Sequence, residues 1–224
     1  MRIETYSDSE MLAIDVAQVI AGDLTAALQH QDRAVLAVPG GTTPGPVFDD
    51  LCAADLDWSR VDVILTDERW VPEDHPRSNT KLLRERLFVN RAAAATLLPL
   101  WADAPAPEQA LNGLIANIEP RLPISVAILG MGADMHTASL FPDSAELGAA
   151  LASDAPVLVP VRPDSQPEAR VTLSARVLNG ALRKHIVFKG KDKLEALNAA
   201  RRLPADQAPI SAVLDGAIVH YTES

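Results

Sequence analysis

Several short stretches of the chain gather side chains able to grip an anion or carry a proton. Pro39-Gly40-Gly41-Thr42-Thr43-Pro44-Gly45 offers backbone N–H groups, two hydroxyls and a helix start aimed at one point, which suits phosphate. It lacks the Gly-Lys-Ser/Thr ending of a nucleoside-triphosphate loop, and a tight turn that needs glycine is the plainer alternative. Thr66-Asp67-Glu68-Arg69-Trp70-Val71-Pro72, continued by His75, Ser78 and Asn79, sets two carboxylates beside an arginine. Such a group can orient a sugar's hydroxyls or carbonyl, or can simply be a solvated loop.

Gly130-Met131-Gly132-Ala133-Asp134-Met135-His136-Thr137-Ala138-Ser139 is the sharpest segment. A carboxylate two residues from an imidazole is the arrangement that orients a general base, and histidine's reference pKa of ~6.5 suits proton exchange near neutrality. Gly130 and Gly132 match the start of a dinucleotide fingerprint, but Met135 stands where its third glycine belongs, so a nicotinamide cofactor is not expected. Arg170-Val171-Thr172-Leu173 and Gly190-Lys191-Asp192-Lys193 supply the cations that the glycine loop needs for a dianionic phosphate. There is no Gly-x-Ser-x-Gly elbow, and Cys52, the only cysteine, falls in an expected helix as a buried apolar residue. His30, His75, His185 and His220 are scattered without metal-binding spacing, so no metal is expected, and without a nucleophilic elbow or reactive thiol any hydrolysis would use water directly.

The elements that must position these groups alternate along the 224 residues. Ala34-Val35-Leu36-Ala37-Val38, Val61–Thr66, Ile124–Leu129 and His185–Phe188 read as buried strands, each closing onto polar or glycine-bearing residues. Helices are expected near 8–30, begun by a Ser7-x-x-Glu10 capping box, and near 44–54, 79–88, 107–119, 174–182 and 191–202. Extra strands fit 157–159 and 170–173, and the proline-rich stretches 99–107 and 156–167 read as loops. Alternation of this kind predicts one α/β domain over residues 1–224, a mostly parallel sheet covered by helices on both faces. Ligands of such sheets bind beyond the carboxyl ends of the strands, where three of the polar segments fall. A chain of this size can bury about 70% of its extended surface and needs no disulfide or metal to stabilise its core.

Composition narrows the partners. With 20 Lys+Arg against 30 Asp+Glu the net charge is −10, which repels nucleic acid and anionic membranes, so an anionic substrate must be held by a local cluster of cations. The N-terminus lacks a signal-peptide pattern and no run approaches the ~20 apolar residues of a membrane span, so a soluble cytoplasmic protein is expected.

Together the segments resemble the 6-phosphogluconolactonases, in the superfamily that also holds the glucosamine-6-phosphate isomerase/deaminases. The likeness runs through nearly the whole chain: Gly40 to Pro44, Asp67-Glu68-Arg69 with Pro72, His75 and Ser78-Asn79, Gly130 through Ser139-Leu140-Phe141-Pro142, Arg170 to Leu173, and Gly190 with Lys193. It implies a Rossmann-like fold of the kind shared with sugar-phosphate isomerases and CoA transferases. It also implies cofactor-free hydrolysis of a small-molecule partner, 6-phospho-D-glucono-1,5-lactone, in the oxidative pentose phosphate pathway, by a monomer or homodimer. By the same resemblance His136 is the general base and Asp134 orients it. Arg69 and nearby N–H groups stabilise the carbonyl oxygen, while the Gly40–Gly41–Thr42–Thr43 loop, Arg170 and Lys193 hold the 6-phosphate. Asp67 holds either a substrate hydroxyl or Arg69.

Two positions depart from the family's pattern. Met135 replaces a usual glycine, which would strain the loop or narrow the pocket if that position needs a positive φ or close ligand approach. Pro39 replaces a small residue and removes one N–H donor. Two alternatives bear on the same residues. An amino-sugar phosphate isomerase/deaminase would use Asp67 as base, but its His-Ile/Gly-Phe-Asn-Glu pattern is not the Thr-Ala-Ser-Leu-Phe-Pro that follows His136. A sugar-phosphate sensor without turnover is the reading that Met135 keeps open.

Overall fold

The computed structural model describes residues 1–224 in full. In chain order the elements are β1 (Arg2–Tyr6), α1 (Ser9–Leu28), β2 (Ala34–Val38), α2 (Pro44–Leu51), β3 (Val61–Leu65), β4 (Asp67–Arg69), α3 (Asn79–Arg86), β5 (Thr96–Leu98), α4 (Leu111–Ile118), β6 (Val126–Leu129), α5 (Leu147–Leu151), β7 (Leu158–Val161), β8 (Arg170–Leu173), α6 (Ala175–Asn179), β9 (Arg183–Lys189), α7 (Lys191–Ala200) and β10 (Ile218–Thr222). Seven strands form a parallel sheet in the order β1-β10-β9-β6-β2-β3-β5, and β4, β8 and β7 form a small antiparallel sheet.

β2, β3 and β6 are buried along their whole length, as apolar runs covered on both faces must be. The exception in composition is Asp62 of β3, a fully buried carboxylate gripped by Arg33 and Arg121. Strand order dictates where the helices lie. The connections β1–β2, β2–β3 and β3–β5 move toward the β5 edge, whereas β5–β6, β6–β9 and β9–β10 move toward the β1 edge. Right-handed crossovers therefore put α1, α2 and α3 on one face and the later helices on the other. The packing of α1 on α2 and α2 on α3, and of α6 and α7 on the turn Pro209–Val213, agrees with that division.

Several local expectations need correction. The cap of α1 is Asp8, whose carboxylate accepts from Met11 N at 2.9 Å; Ser7 instead donates to Asp8, so the Ser7–Glu10 box does not form. α1 is also long and apolar enough to span a membrane by length and composition, contrary to the expectation that no segment approaches this. Its stripe of Leu12, Val16, Ile20 and Leu24 is buried in the core of the fold. Helices expected at 107–119 and 174–182 shorten to α4, after a 3-10 turn at Pro107–Gln109, and to α6. β1, β4, β5, β10 and α5 were not expected. β1 is an edge strand that exposes Arg2, Ile3 and Thr5, and β4 is a charged tripeptide that becomes a strand only by pairing with β8.

Candidate active site

The order of the large sheet reverses between two neighbours. The chain leaves β2 toward one edge and β6 toward the other, so the loops after these strands part and leave a crevice at their carboxyl ends. The glycine loop follows β2 and the Asp134–His136 loop follows β6, so both open there. β4 starts one residue beyond β3 and carries the small sheet over the same end. Its register sets Asp67 opposite Thr172 and Arg69 opposite Arg170. The crevice is a cavity of about 260 Å³ lined by Gly40, Gly41, Thr42, Thr43, Asp67, Arg69, His136, Arg170 and Lys193. Asp134, the remaining residue expected at the site, stands behind His136.

His136 Nδ1 lies 2.5 Å from Asp134 Oδ1. Burial raises the Asp134 carboxyl's pKa, but the hydrogen bond and charge of His136 outweigh it and hold the group below its ordinary value. An ionised Asp134 accepts Nδ1–H, which leaves Nε2 as the basic atom of the imidazole. A Cβ on Gly132 would collide with both Asp134 Oδ1 and His136 Nδ1, so the dyad closes only over a glycine. The imidazole stacks on Phe141, ring centroids 4.2 Å apart. Met135 has φ of 68°, the left-handed conformation that a glycine would adopt without strain. It does not line the cavity; its side chain packs on the core and its carbonyl accepts from Ile210 N. Of the two consequences considered for this residue, backbone strain stands and narrowing of the pocket does not.

Asp67 is buried and accepts from Ser139 Oγ at 2.5 Å, Thr66 Oγ1 at 3.2 Å and Arg170 at 3.4 Å. Its ion-pair partner is thus Arg170, not Arg69. Arg69 instead donates to the Arg77 carbonyl and to Asn79 Oδ1, at 2.7 and 2.8 Å. Asn79 in turn donates to the Asp67 carbonyl and packs so close to Gly40 that a Cβ there would overlap it. Glu68 points away from the cavity and receives Arg69 N, Asn79 N, Thr80 N and the hydroxyls of Ser78 and Thr80. Burial raises its pKa while these donors oppose the shift. The carboxylate binds β4 to the start of α3 and so holds Arg69 and Asn79 in place. His75 lies outside the cavity, where its Nδ1 accepts from Arg77 N in the loop that Arg69 grips.

Two arginines side by side in one register are unfavourable unless anions compensate them. Burial lowers the pKa of Arg170; Asp67 opposes that and Arg69 adds to it. Arg69 Nε and Arg170 Nε are both buried without a protein acceptor. On the other wall Thr43 precedes α2 without a side-chain capping bond, leaving its hydroxyl for other partners. Lys193 sits in the first turn of α7, where a cation opposes the helix dipole. Excess positive potential therefore gathers in this one crevice of an acidic chain. Asn79, Ser139 and Phe141 were visible in the sequence only as parts of motifs, without roles. The signal for each is its contact with a residue already singled out.

A sequence model of the family described as glucosamine-6-phosphate isomerases/6-phosphogluconolactonase matches residues 7–221. The 6-phosphogluconolactonase of Mesorhizobium japonicum is 42% identical over 217 residues, covering 95% of this chain and 90% of the relative. That of Pseudomonas aeruginosa is 39% identical over 210 residues, covering 90% and 88%. The crystal structure of a 6-phosphogluconolactonase from Shewanella baltica superposes with a TM-score of 0.95 at 32% identity, covering 100% of this chain and 98% of that one.

Proposed function

Since the chain belongs to the glucosamine-6-phosphate isomerase/6-phosphogluconolactonase family, we propose that it hydrolyses 6-phospho-D-glucono-1,5-lactone to 6-phospho-D-gluconate in the oxidative pentose phosphate pathway. It acts as a soluble cytoplasmic enzyme of one domain, residues 1–224. The observation that carries the reading is the Asp134–His136 dyad, 2.5 Å between Oδ1 and Nδ1, opening on the same cavity as the glycine loop, Arg170 and Lys193.

In this mechanism His136 Nε2 takes a proton from water as the oxygen adds to the lactone carbonyl. Asp134 stabilises the imidazolium that forms. Negative charge on the carbonyl oxygen is met by Arg69, a contribution that reaches about 3 kcal/mol for one well-placed donor. Collapse of the tetrahedral intermediate breaks the bond to the ring oxygen, which takes the proton back from His136 and leaves as the C5 hydroxyl. The 6-phosphate, held by Gly40, Gly41, Thr42, Thr43, Arg170 and Lys193, fixes the ring so that its carbonyl faces the imidazole. Asp67, locked by Ser139 and Arg170, orients that cation and the substrate's hydroxyls, which is a poor starting point for a mobile base.

The test is formation of 6-phosphogluconate from freshly generated lactone, with and without protein, measured against spontaneous opening. Acceleration supports the reading. Release of ammonia from glucosamine 6-phosphate, without faster lactone opening, overturns it in favour of the isomerase/deaminase branch.

A further inference from the structure

We propose that Phe141 is a positioning residue whose ring sets the plane of the His136 imidazole and couples it to Arg170, so that base and phosphate-holding cation keep a fixed separation. The inference deepens the lactonase reading and rests on it.

The Asp134 side chain is 51% exposed, so water competes for the only hydrogen bond that holds the His136 ring. Phe141 supplies a restraint that water does not weaken. Its ring is 2% exposed and lies 24° from parallel to the imidazole. The chain is turned to bring it there. Thr137 and Leu140 form a bridge, Leu140 N donates to the Thr137 carbonyl at 2.9 Å, and Ala138 takes a φ of 50° within the turn. Residue 141 thereby folds back against residue 136. Arg170 Cζ lies 5.3 Å from the centroid of the same ring, within cation–π range. One rigid aromatic body thus touches both the group that moves the proton and a cation assigned to the phosphate. Binding energy from the remote phosphate reaches the reacting carbon only if these two groups stay in register.

Phe141→Met keeps an apolar side chain of similar volume but no flat face, and Phe141→Tyr keeps the face. Kinetics with phosphorylated and unphosphorylated gluconolactone should show that Phe141→Met lowers kcat roughly 10- to 100-fold with KM changed less than about threefold. It should also reduce the preference for the phosphorylated lactone. Phe141→Tyr should stay within about threefold of the parent in kcat. Equal losses in both variants, or an effect confined to KM, overturns the proposal. A readout on the unsubstituted protein covers the case in which neither variant folds: the stack predicts a His136 Hε1 resonance displaced from its free-imidazole position, and an undisplaced one overturns it. If the unsubstituted protein opens no lactone, the lactonase reading itself has failed, which this control separates from failure of the positioning role.

Discussion

Replacing His220 by glutamine should flatten the acid side of the stability curve by about 3 kcal/mol. The basis is a buried chain in which Tyr6 Oη lies 2.8 Å from His220 Nδ1, His220 Nε2 lies 3.0 Å from His185 Nδ1, and His185 Nε2 lies 2.9 Å from Asp23 Oδ2. One direction of donation satisfies every member with both imidazoles neutral: Tyr6 to His220, His220 to His185, His185 to Asp23. Charging both rings would set two N–H groups against each other across the 3.0 Å contact. Burial, then the neighbouring His185 and Arg2, push the pKa of His220 down to about 4. Burial likewise lowers that of His185, with Asp23 opposing. In the unfolded chain His220 takes up a proton near pH 6.5, while in the fold it does not until about pH 4. Its contribution is therefore complete above pH 6.5 and is lost as pH falls toward 4. Two and a half pKa units at 1.36 kcal/mol each give about 3 kcal/mol, a large part of a domain's typical stability. Urea unfolding of the parent and of His220→Gln, from pH 7.5 to 4, measures this. Glutamine keeps a donor toward His185, and the carboxylate contributions cancel in the difference. A difference that changes by less than about 0.5 kcal/mol over that range refutes the linkage.

Three further outcomes follow from other contacts. Arg33→Ala leaves the buried Asp62 with Arg121 alone and should cost about 2–3 kcal/mol in urea unfolding, with turnover per folded molecule unchanged because the triad is remote from the cavity. Gly132→Ala drives a methyl group into the Asp134–His136 contact and should lower kcat about 100-fold with the unfolding midpoint nearly constant; parent-like turnover would contradict the geometry. Lys193→Ala should raise KM about tenfold for the phosphorylated lactone and leave the unphosphorylated one unaffected, and an equal effect on both would remove Lys193 from the phosphate site.

How much of this was legible in the sequence depends on how local each signal was. β2, β3 and β6 are buried on both faces, so their apolar runs announce them, and the loops that follow them carry the site. β10 hides because His220 is a buried polar residue whose side-chain partners lie elsewhere in the chain, Tyr6 being 214 residues away. β4 reads as a charged loop because its strand character comes from β8, about a hundred residues later. The same distance explains Asp67: adjacency suggests Arg69, whereas the antiparallel register delivers Arg170. Asp134 and His136 were legible because two residues of separation already constrain them to meet. Phe141 was not, since an aromatic residue before proline looks like ordinary core until its two charged or titratable neighbours are in place.

The central claim is that the His136 imidazole moves the proton while a separate group of donors holds the phosphate. The most direct measurement is enzymatic opening of fresh 6-phosphogluconolactone by the parent and by His136→Asn, alongside the affinity of each for 6-phosphogluconate. The account predicts at least about a 100-fold loss of turnover in His136→Asn, with affinity within about threefold of the parent. Near-parental turnover in that variant would contradict it.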